Sequence, residues 1–530
     1  MARKKWQVWL PLLFAIVLTI GMYIGFRLKE TTAGVVFFQN THRSSLQEVL
    51  DLISGKYVDN IPSDSLKNTV IDDLLAHLDP HSVFIPAKEV DEVNEELAGN
   101  FQGIGVEFQL FSDTVNVLNV VENGPSYKAG LQVGDKIIKV NDTTVLAGKK
   151  LKADDIRKYL RGPAGSIVKV GILRDGSPVN VNITRGTIPV PSVDVAYMMN
   201  ATTGFIRINK FAETTYEEFM FAMEGLQKKG LKQLVLDLRG NGGGLLSEAA
   251  DIADEFLDDN KLIVYTQGAK VPRFEYRCKR DGLFETGKLV VLVDETSASA
   301  SEILSGALQD WDRATIIGRR TFGKGLVQQQ FQLTDGSALR LTIARYYTPI
   351  GRNIQKPYNK GKEKYEEELI NRFHNGELVV GDTSKPVGPA FKTPGGHMVY
   401  GGGGITPDVF VPFDTTAQPD ALNQLYFKGT LSSFVYNYYI QNKSFFKQFS
   451  TPEAFAQQYK VGDKEWSALV TYAQKDSIQL GGLPEKVKTG FYPRLQAFFA
   501  RQIWRTEGYF EVMNPKDVMV TKALENISKQ

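Results

Sequence analysis

Asp294–Gln332 reads DETSASASEILSGALQDWDRATIIGRRTFGKGLVQQQFQ, and a change of period inside it decides the fold. Immediately upstream, Leu289–Val293 (LVVLV) is a short apolar run suited to a strand buried on both faces. Downstream of Thr296–Ser299, the residues Ile303, Leu304, Ala307, Leu308 and Trp311 share one face of a helix. Ser299 therefore stands where a buried strand turns into a helix. The amide of Ala300 is then one of that helix's unpaired N-terminal donors, able to hold a developing oxyanion. A further strand, Thr315–Gly318, leads to a lysine between glycines, Gly323-Lys324-Gly325, and on to the alternating run Leu326–Leu333. Lys324 is thus the nearest candidate base for a serine nucleophile, a role that requires burial to lower its pKa. None of the five histidines (His42, His77, His81, His374, His397) falls between Ser299 and Lys324. Gly318–Gly325 is nearly a phosphate-binding loop. It lacks the Ser/Thr that holds magnesium, and a strand pattern follows where a helix is required, which excludes the nucleotide reading.

SASASE, ALQDWDRA and TFGKGLVQ resemble the C-terminal processing (tail-specific) peptidases, serine proteases with a Ser-Lys dyad. The resemblance implies Ser299 as nucleophile, Lys324 as general base and Gln328 as the residue that orients the lysine. On a strand, positions 324 and 328 would point to the same side. A second strand–glycine–helix unit, Leu234–Leu238 followed by Arg239-Gly240-Asn241-Gly242-Gly243-Gly244, is similar to the family's DLR loop. By that likeness Gly243 or Gly244 supplies a second amide to the oxyanion hole beside Ala300.

Phe101 to Arg185 resembles a PDZ domain: the run from Gly124 to Asn141 matches its core, and Gly103-Ile104-Gly105-Val106 is similar to its carboxylate-binding loop. Glycines free amides to face an anion, and an exposed strand edge accepts a peptide by β-addition. Tyr347–Gln355 and Gly401–Val409 again follow the family pattern, whereas the polar, charged stretch 356–398 departs from it and reads as a solvated insertion with one exposed helix. The resemblance runs from Leu46 to Val411.

The 530 residues leave room for about three or four domains. With 62 basic and 60 acidic residues, the net charge of +2 offers no basis for nucleic-acid binding. The single cysteine, Cys278, excludes an internal disulfide, and its basic surroundings without a histidine make it incidental. Trp6–Phe26 is 21 residues without a charge, preceded by Arg3, Lys4 and Lys5. That pattern predicts an uncleaved transmembrane signal anchor that leaves the rest of the chain outside the cytoplasm, on the periplasmic side.

The expected architecture is α/β: a mixed-sheet serine-peptidase core (187–415) with an inserted PDZ domain (99–186). An N-terminal helical region (40–98) precedes it, after one transmembrane helix (1–28), and a separate helical C-terminal region (416–530) follows. His77 and His81 cannot share a helix across Pro80, so a turn is expected there and not a metal site. The expected function is a membrane-anchored serine endopeptidase that captures protein C-terminal tails through its PDZ domain, with no metal or organic cofactor. The resemblance also allows a homodimer. The rivals are a catalytically silent PDZ adaptor and an acyl-transfer enzyme, since glycine-rich oxyanion holes serve that chemistry too.

Overall fold

The computed structural model describes residues 9, 11, 14–23, 45–59, 63–111, 114–141, 144–145, 151–258, 260–381, 388–416 and 418–529. They fall into two units, 1–71 and 72–530. In the first, residues 14–23 and Ser45–Lys56 are helical. The expected span Trp6–Phe26 lies partly outside the described residues, and among these no helix is long and apolar enough to cross a membrane.

The second unit is built on a six-stranded sheet in the order Val193–Met198, Thr203–Ile208, Gln233–Asp237, Lys288–Val293, Thr315–Gly318 and Val409–Phe410. Every neighbouring pair is parallel except the first. Alternation sends Leu234, Leu236, Leu289, Val291 and Val293 to one face, against the helices Thr215–Lys228, Leu246–Asp254 and Ala300–Asp310. Val235, Val290 and Leu292 go to the other face, where Met519, Val520 and Ala523 of the last helix, Val518–Lys529, cover them. A sheet of parallel strands needs both faces covered. The C-terminal region, expected to be separate, therefore supplies the second layer of the core.

A second sheet is arranged around Ala338–Tyr347. It pairs along its length with Leu326–Gln332, and on its other edge with Val83–Ile85 and Leu262–Gln267. The short strand Val83–Ile85 corrects the all-helical expectation for the region before Asn100: the apolar Val-Phe-Ile following the turn at Asp79–Ser82 joins a sheet.

The PDZ domain is a sheet in the order Val106–Phe111, Thr114–Val120, Lys136–Val140, Ile167–Arg174, Ser177–Thr184, closed over Val115, Val117, Ile137 and Val168 by the helix Ala153–Leu160. Asn100–Gly103 pairs with Gly186–Pro189 where the chain enters and leaves it. The remainder of the C-terminal region is a helical bundle around an aromatic core that includes Phe434, Phe446, Phe455 and Phe499, as its apolar stripe predicts.

Candidate active site

The turn that carries Ser299 is assembled by short-range backbone chemistry. Ser299 caps the helix Ala300–Asp310 with φ 55° and ψ −112°, a conformation that L side chains rarely adopt. Its neighbours hold it there. Ser297 Oγ donates to Leu238 O at 2.8 Å, while Asp294 Oδ1 accepts from the amides of Thr296 and Gly240 at 3.0 and 3.1 Å. These bonds tie the serine turn to the glycine loop of the neighbouring strand.

Asn241, fully buried in that loop, completes the tie. Its carbonyl accepts from Ala298 N at 3.0 Å and Ser301 Oγ at 2.9 Å, its Nδ2 donates to Ile208 O at 2.9 Å, and its Oδ1 accepts from Gly243 N at 2.8 Å. The last bond separates the two candidate oxyanion donors. Gly243 spends its N–H on Asn241, whereas neither Gly244 N nor Ala300 N has a protein acceptor among the described residues. Both glycines are required by space. A Cβ on Gly243 would lie 2.7 Å from Ser299 Cβ, and one on Gly244 would lie 2.0 Å from Phe211 O. The glycine loop therefore passes directly against Ser299.

Lys324 comes to the same place from the other sheet, through two buried side chains. Glu302 Oε2 accepts from Ser299 N at 2.8 Å and from Lys324 N at 2.9 Å, and Oε1 accepts from Gly323 N at 2.7 Å and from Thr321 Oγ1. Tyr346 Oη reaches the carbonyls of the same two residues, Lys324 O at 2.5 Å and Ser299 O at 3.2 Å. One carboxylate thus binds both amides and one phenol both carbonyls. Glu302 and Tyr346 are 0 % and 1 % exposed, so neither cross-link is in competition with solvent. Burial pushes the Glu302 carboxyl up to about 7, against the pull of its four hydrogen bonds. Lys324 lies below its ordinary lysine value, chiefly by burial and further by the Arg340 charge; Glu302 and Asp79 oppose the shift. The burial a lysine base needs is therefore present.

Gln328 sits differently from the sequence expectation. Its Nε2 donates to Thr342 Oγ1 at 3.3 Å, Thr342 Oγ1 donates to Asp79 Oδ1 at 2.9 Å, and no hydrogen bond joins Gln328 to Lys324 among the described residues. The same-side argument does not apply, because Lys324 precedes the strand that begins at Leu326. Asp79 Oδ1 also fixes the turn amides of His81 and Ser82 at 2.8 and 2.9 Å. His81 Nε2 lies 2.9 Å from Tyr365 Oη, and burial followed by the Lys324 charge pushes the imidazole down to about 4. The turn expected here is present, and it flanks Lys324.

The insertion corrects the expectation of a solvated segment. Its helix, Lys362–His374, buries Tyr365 and Arg372. Arg372 donates to Thr321 O at 3.0 Å and Arg320 O at 2.5 Å, gripping the loop that leads to Lys324. Lys356 is 2 % exposed, donates to Glu368 Oε2 at 3.0 Å and lies 3.9 Å from the centre of the Phe322 ring. The buried residues here are charged and aromatic, so hydropathy alone cannot reveal them. Cys278 is buried too, and its thiol is pushed up to about 12, which leaves it unreactive.

Sequence reasoning missed Glu302, Tyr346, Asn241 and Asp79. A signal existed for Glu302: Ser299 and Glu302 have the S-x-x-E spacing of a capping box, and the reciprocal half of that box is present.

In the PDZ domain, Gly103, Ile104, Gly105 and Val106 line a groove of about 240 Å³ with Phe108 and Leu160. The strand Val106–Phe111 is the edge of its sheet, so its outer hydrogen-bonding groups remain open to an added strand.

Residues 202–361 match peptidase family S41, residues 102–184 match the PDZ domain, and residues 421–505 match a family of unknown function. The chain is 37% identical to the carboxy-terminal-processing protease of Bartonella bacilliformis over 65% of this chain and 80% of that one. It is 33% identical to a probable CtpA-like serine protease of Staphylococcus epidermidis over 71% and 78%. A solved structure titled photosystem II D1 C-terminal processing protease aligns at 28% identity over 69% of this chain and 86% of that one, with TM-score 0.37. The serine turn and the lysine loop lie within the stretch matched to peptidase family S41 and the groove within the stretch matched to the PDZ domain, and the chain belongs to the carboxy-terminal-processing serine proteases of peptidase family S41.

Proposed function

We propose that this protease captures the C-terminal tail of a protein substrate in the Gly103–Val106 groove and cleaves the chain with a Ser299–Lys324 dyad. The observation that carries the reading is the double bridge by which Glu302 and Tyr346 hold the backbones of Ser299 and Lys324 together. Ser299 Oγ attacks the scissile carbonyl carbon and Lys324 Nζ, its proton affinity lowered by burial, accepts the serine proton. The negative oxygen of the tetrahedral intermediate is held by the amides of Ala300 and Gly244. As the C–N bond breaks, Lys324 returns the proton to the leaving amine, and then draws one from the water that hydrolyses the acyl-enzyme. The uncharged run Trp6–Phe26 after three basic residues supports an N-terminal anchor with the protease outside the cytoplasm.

The test is cleavage of an unstructured protein ending in a free apolar tail, by the protein and by Ser299→Ala and Lys324→Ala. Loss of turnover by about 10³-fold or more is expected in each variant, and amidation of the tail should raise KM. Cleavage that survives Ser299→Ala overturns the nucleophile assignment. Tail binding without cleavage by the unaltered protein favours the adaptor.

A further inference from the structure

The C-terminal helical bundle touches the PDZ domain at one place that bears on substrate choice. The edge strand Val106–Phe111 alternates: Val106, Phe108 and Leu110 pack on the PDZ core, and the odd residues face away from it. In an isolated domain that outer face would be in water. Here the bundle lies against it: Glu107 pairs with Arg505 while remaining partly exposed, Gln109 lies beside Gly429, and the Phe111 ring centre is 5.5 Å from that of Tyr436. The contact continues onto the neighbouring strand and the loop beyond it, for Gln502 Nε2 donates to Leu118 O at 3.2 Å and Lys443 Nζ donates to Val133 O at 2.8 Å.

Arg505 is also set apart by its backbone. Eight non-glycine residues have positive φ among the described residues, and five of them are Asn or Asp, which tolerate the left-handed region. Of the other three, Ser477 lies in the ordinary left-handed well at φ 57° and ψ 34°. Ser299 (φ 55°, ψ −112°) and Arg505 (φ 59°, ψ −144°) do not. Arg505 breaks the long helix Glu485–Met513, and the break places its guanidinium beside the tail groove. Strain of this kind persists where the surroundings enforce it, and its other instance here is the nucleophile.

We infer that the bundle forms the outer wall of the tail groove, and that Arg505 selects tails with an acidic penultimate residue. The inference rests on the tail-capture reading above and follows from strand geometry. A tail added to the edge strand places cross-strand neighbours on the same face. When the last side chain enters the apolar groove of Ile104, Phe108 and Leu160, the penultimate one projects to the face of Glu107. There it meets Arg505, whose guanidinium carries five N–H donors and is paired with Glu107 through Nη2. Arg505 is half-buried beside Glu107, and that burial holds it below its ordinary pKa. A second carboxylate complements it, whereas a lysine in the same place adds a like charge.

The test uses the full chain carrying Ser299→Ala, which binds tails without cutting them. Fluorescence anisotropy is measured with labelled peptides that end in a free valine and carry Asp, Ala or Lys before it, beside the amidated form of each. The Asp tail should bind about tenfold more tightly than the Lys tail, the worth of one charge-assisted hydrogen bond. In Arg505→Ala that ratio should fall to near one while the Ala tail binds as before, and in Glu107→Gln, where Arg505 loses its partner, the ratio should widen. A ratio unchanged in both variants, or a preference for Lys, overturns the wall as a selector while leaving tail capture intact. Equal binding of free and amidated tails, or none of either, overturns tail capture itself and the selector with it. Should Arg505→Ala fail to fold, Glu107→Gln, an exposed strand position, decides the matter alone.

Discussion

The two halves of the proposed catalytic centre are held by different means. The nucleophile is fixed by its neighbours: a strand, a strained turn, a helix start and the glycine loop of the adjacent parallel strand, all within the segment 237–302. The base is fixed by pieces from much of the chain. Asp79 and His81 come from the turn before Val83, Arg340 from the paired strand, Gln355 accepts from Gly325 N at 2.7 Å, and Arg372 grips the loop from the insertion. Glu302 and Tyr346 each bond to the backbones of both Ser299 and Lys324 and so belong to both halves. The serine geometry is thus local and can be built by a short motif, whereas the lysine's burial is a property of the assembled fold.

The largest effect should come from the group that spans the halves. Glu302 accepts four hydrogen bonds, all from donors. Glu302→Gln keeps the shape but turns an amide NH2 toward one pair of those donors, leaving at least one buried and unmet. Urea unfolding should show a loss of about 2–3 kcal/mol, and kcat should fall about 100-fold as the serine and lysine lose register. A variant with normal kcat would show that the two halves are positioned independently of one another.

A subtler pair of substitutions acts on the base alone. The acid limb of kcat/KM follows loss of the Lys324 proton. Asp79 raises the Lys324 pKa and Arg340 lowers it. Asp79→Asn should therefore move the acid limb to lower pH, and Arg340→Gln should move it to higher pH. The opposite signs distinguish an electrostatic role from general damage, which would lower the plateau in both variants without moving the limb. Shifts in the same direction would refute the assignment of Lys324 as the titrating base.

The same contrast explains what could be read in the chain and what could not. The parallel strands were legible because Leu234–Leu238 and Leu289–Val293 are continuous apolar runs, and Ser299 because the period changes just beyond it. The covering role of Val518–Lys529 was not, since an amphipathic helix does not name the surface it covers. Tyr346 sits in an alternating strand among other tyrosines, and only the packed fold shows that its hydroxyl lies between two carbonyls. The insertion misled for a physical reason. Arg372 and Lys356 are buried because carbonyls, a carboxylate and aromatic rings from elsewhere satisfy them, and composition cannot foresee partners that are distant in sequence.

Gln328 sharpens the comparison at its smallest scale. Likeness to the family predicts that it orients the lysine, yet its amide is engaged by Thr342, which Asp79 holds in turn. If Gln328 acts through this chain, it is a positioning residue at the end of the Asp79–Thr342 relay. Thr342→Val and Gln328→Ala should then lower kcat/KM to a similar extent, about three- to tenfold, as for loss of one neutral hydrogen bond. The double variant should be no worse than either single one, because both interrupt one relay. A Gln328→Ala defect far larger than that of Thr342→Val would instead mean that the amide swings to Lys324 once substrate is bound, as catalytic hydrogen bonds often tighten only in the complex. Either result bears on the contrast between the two halves: equal defects make the base a product of the whole fold, and unequal ones return part of its positioning to the local sequence around Lys324.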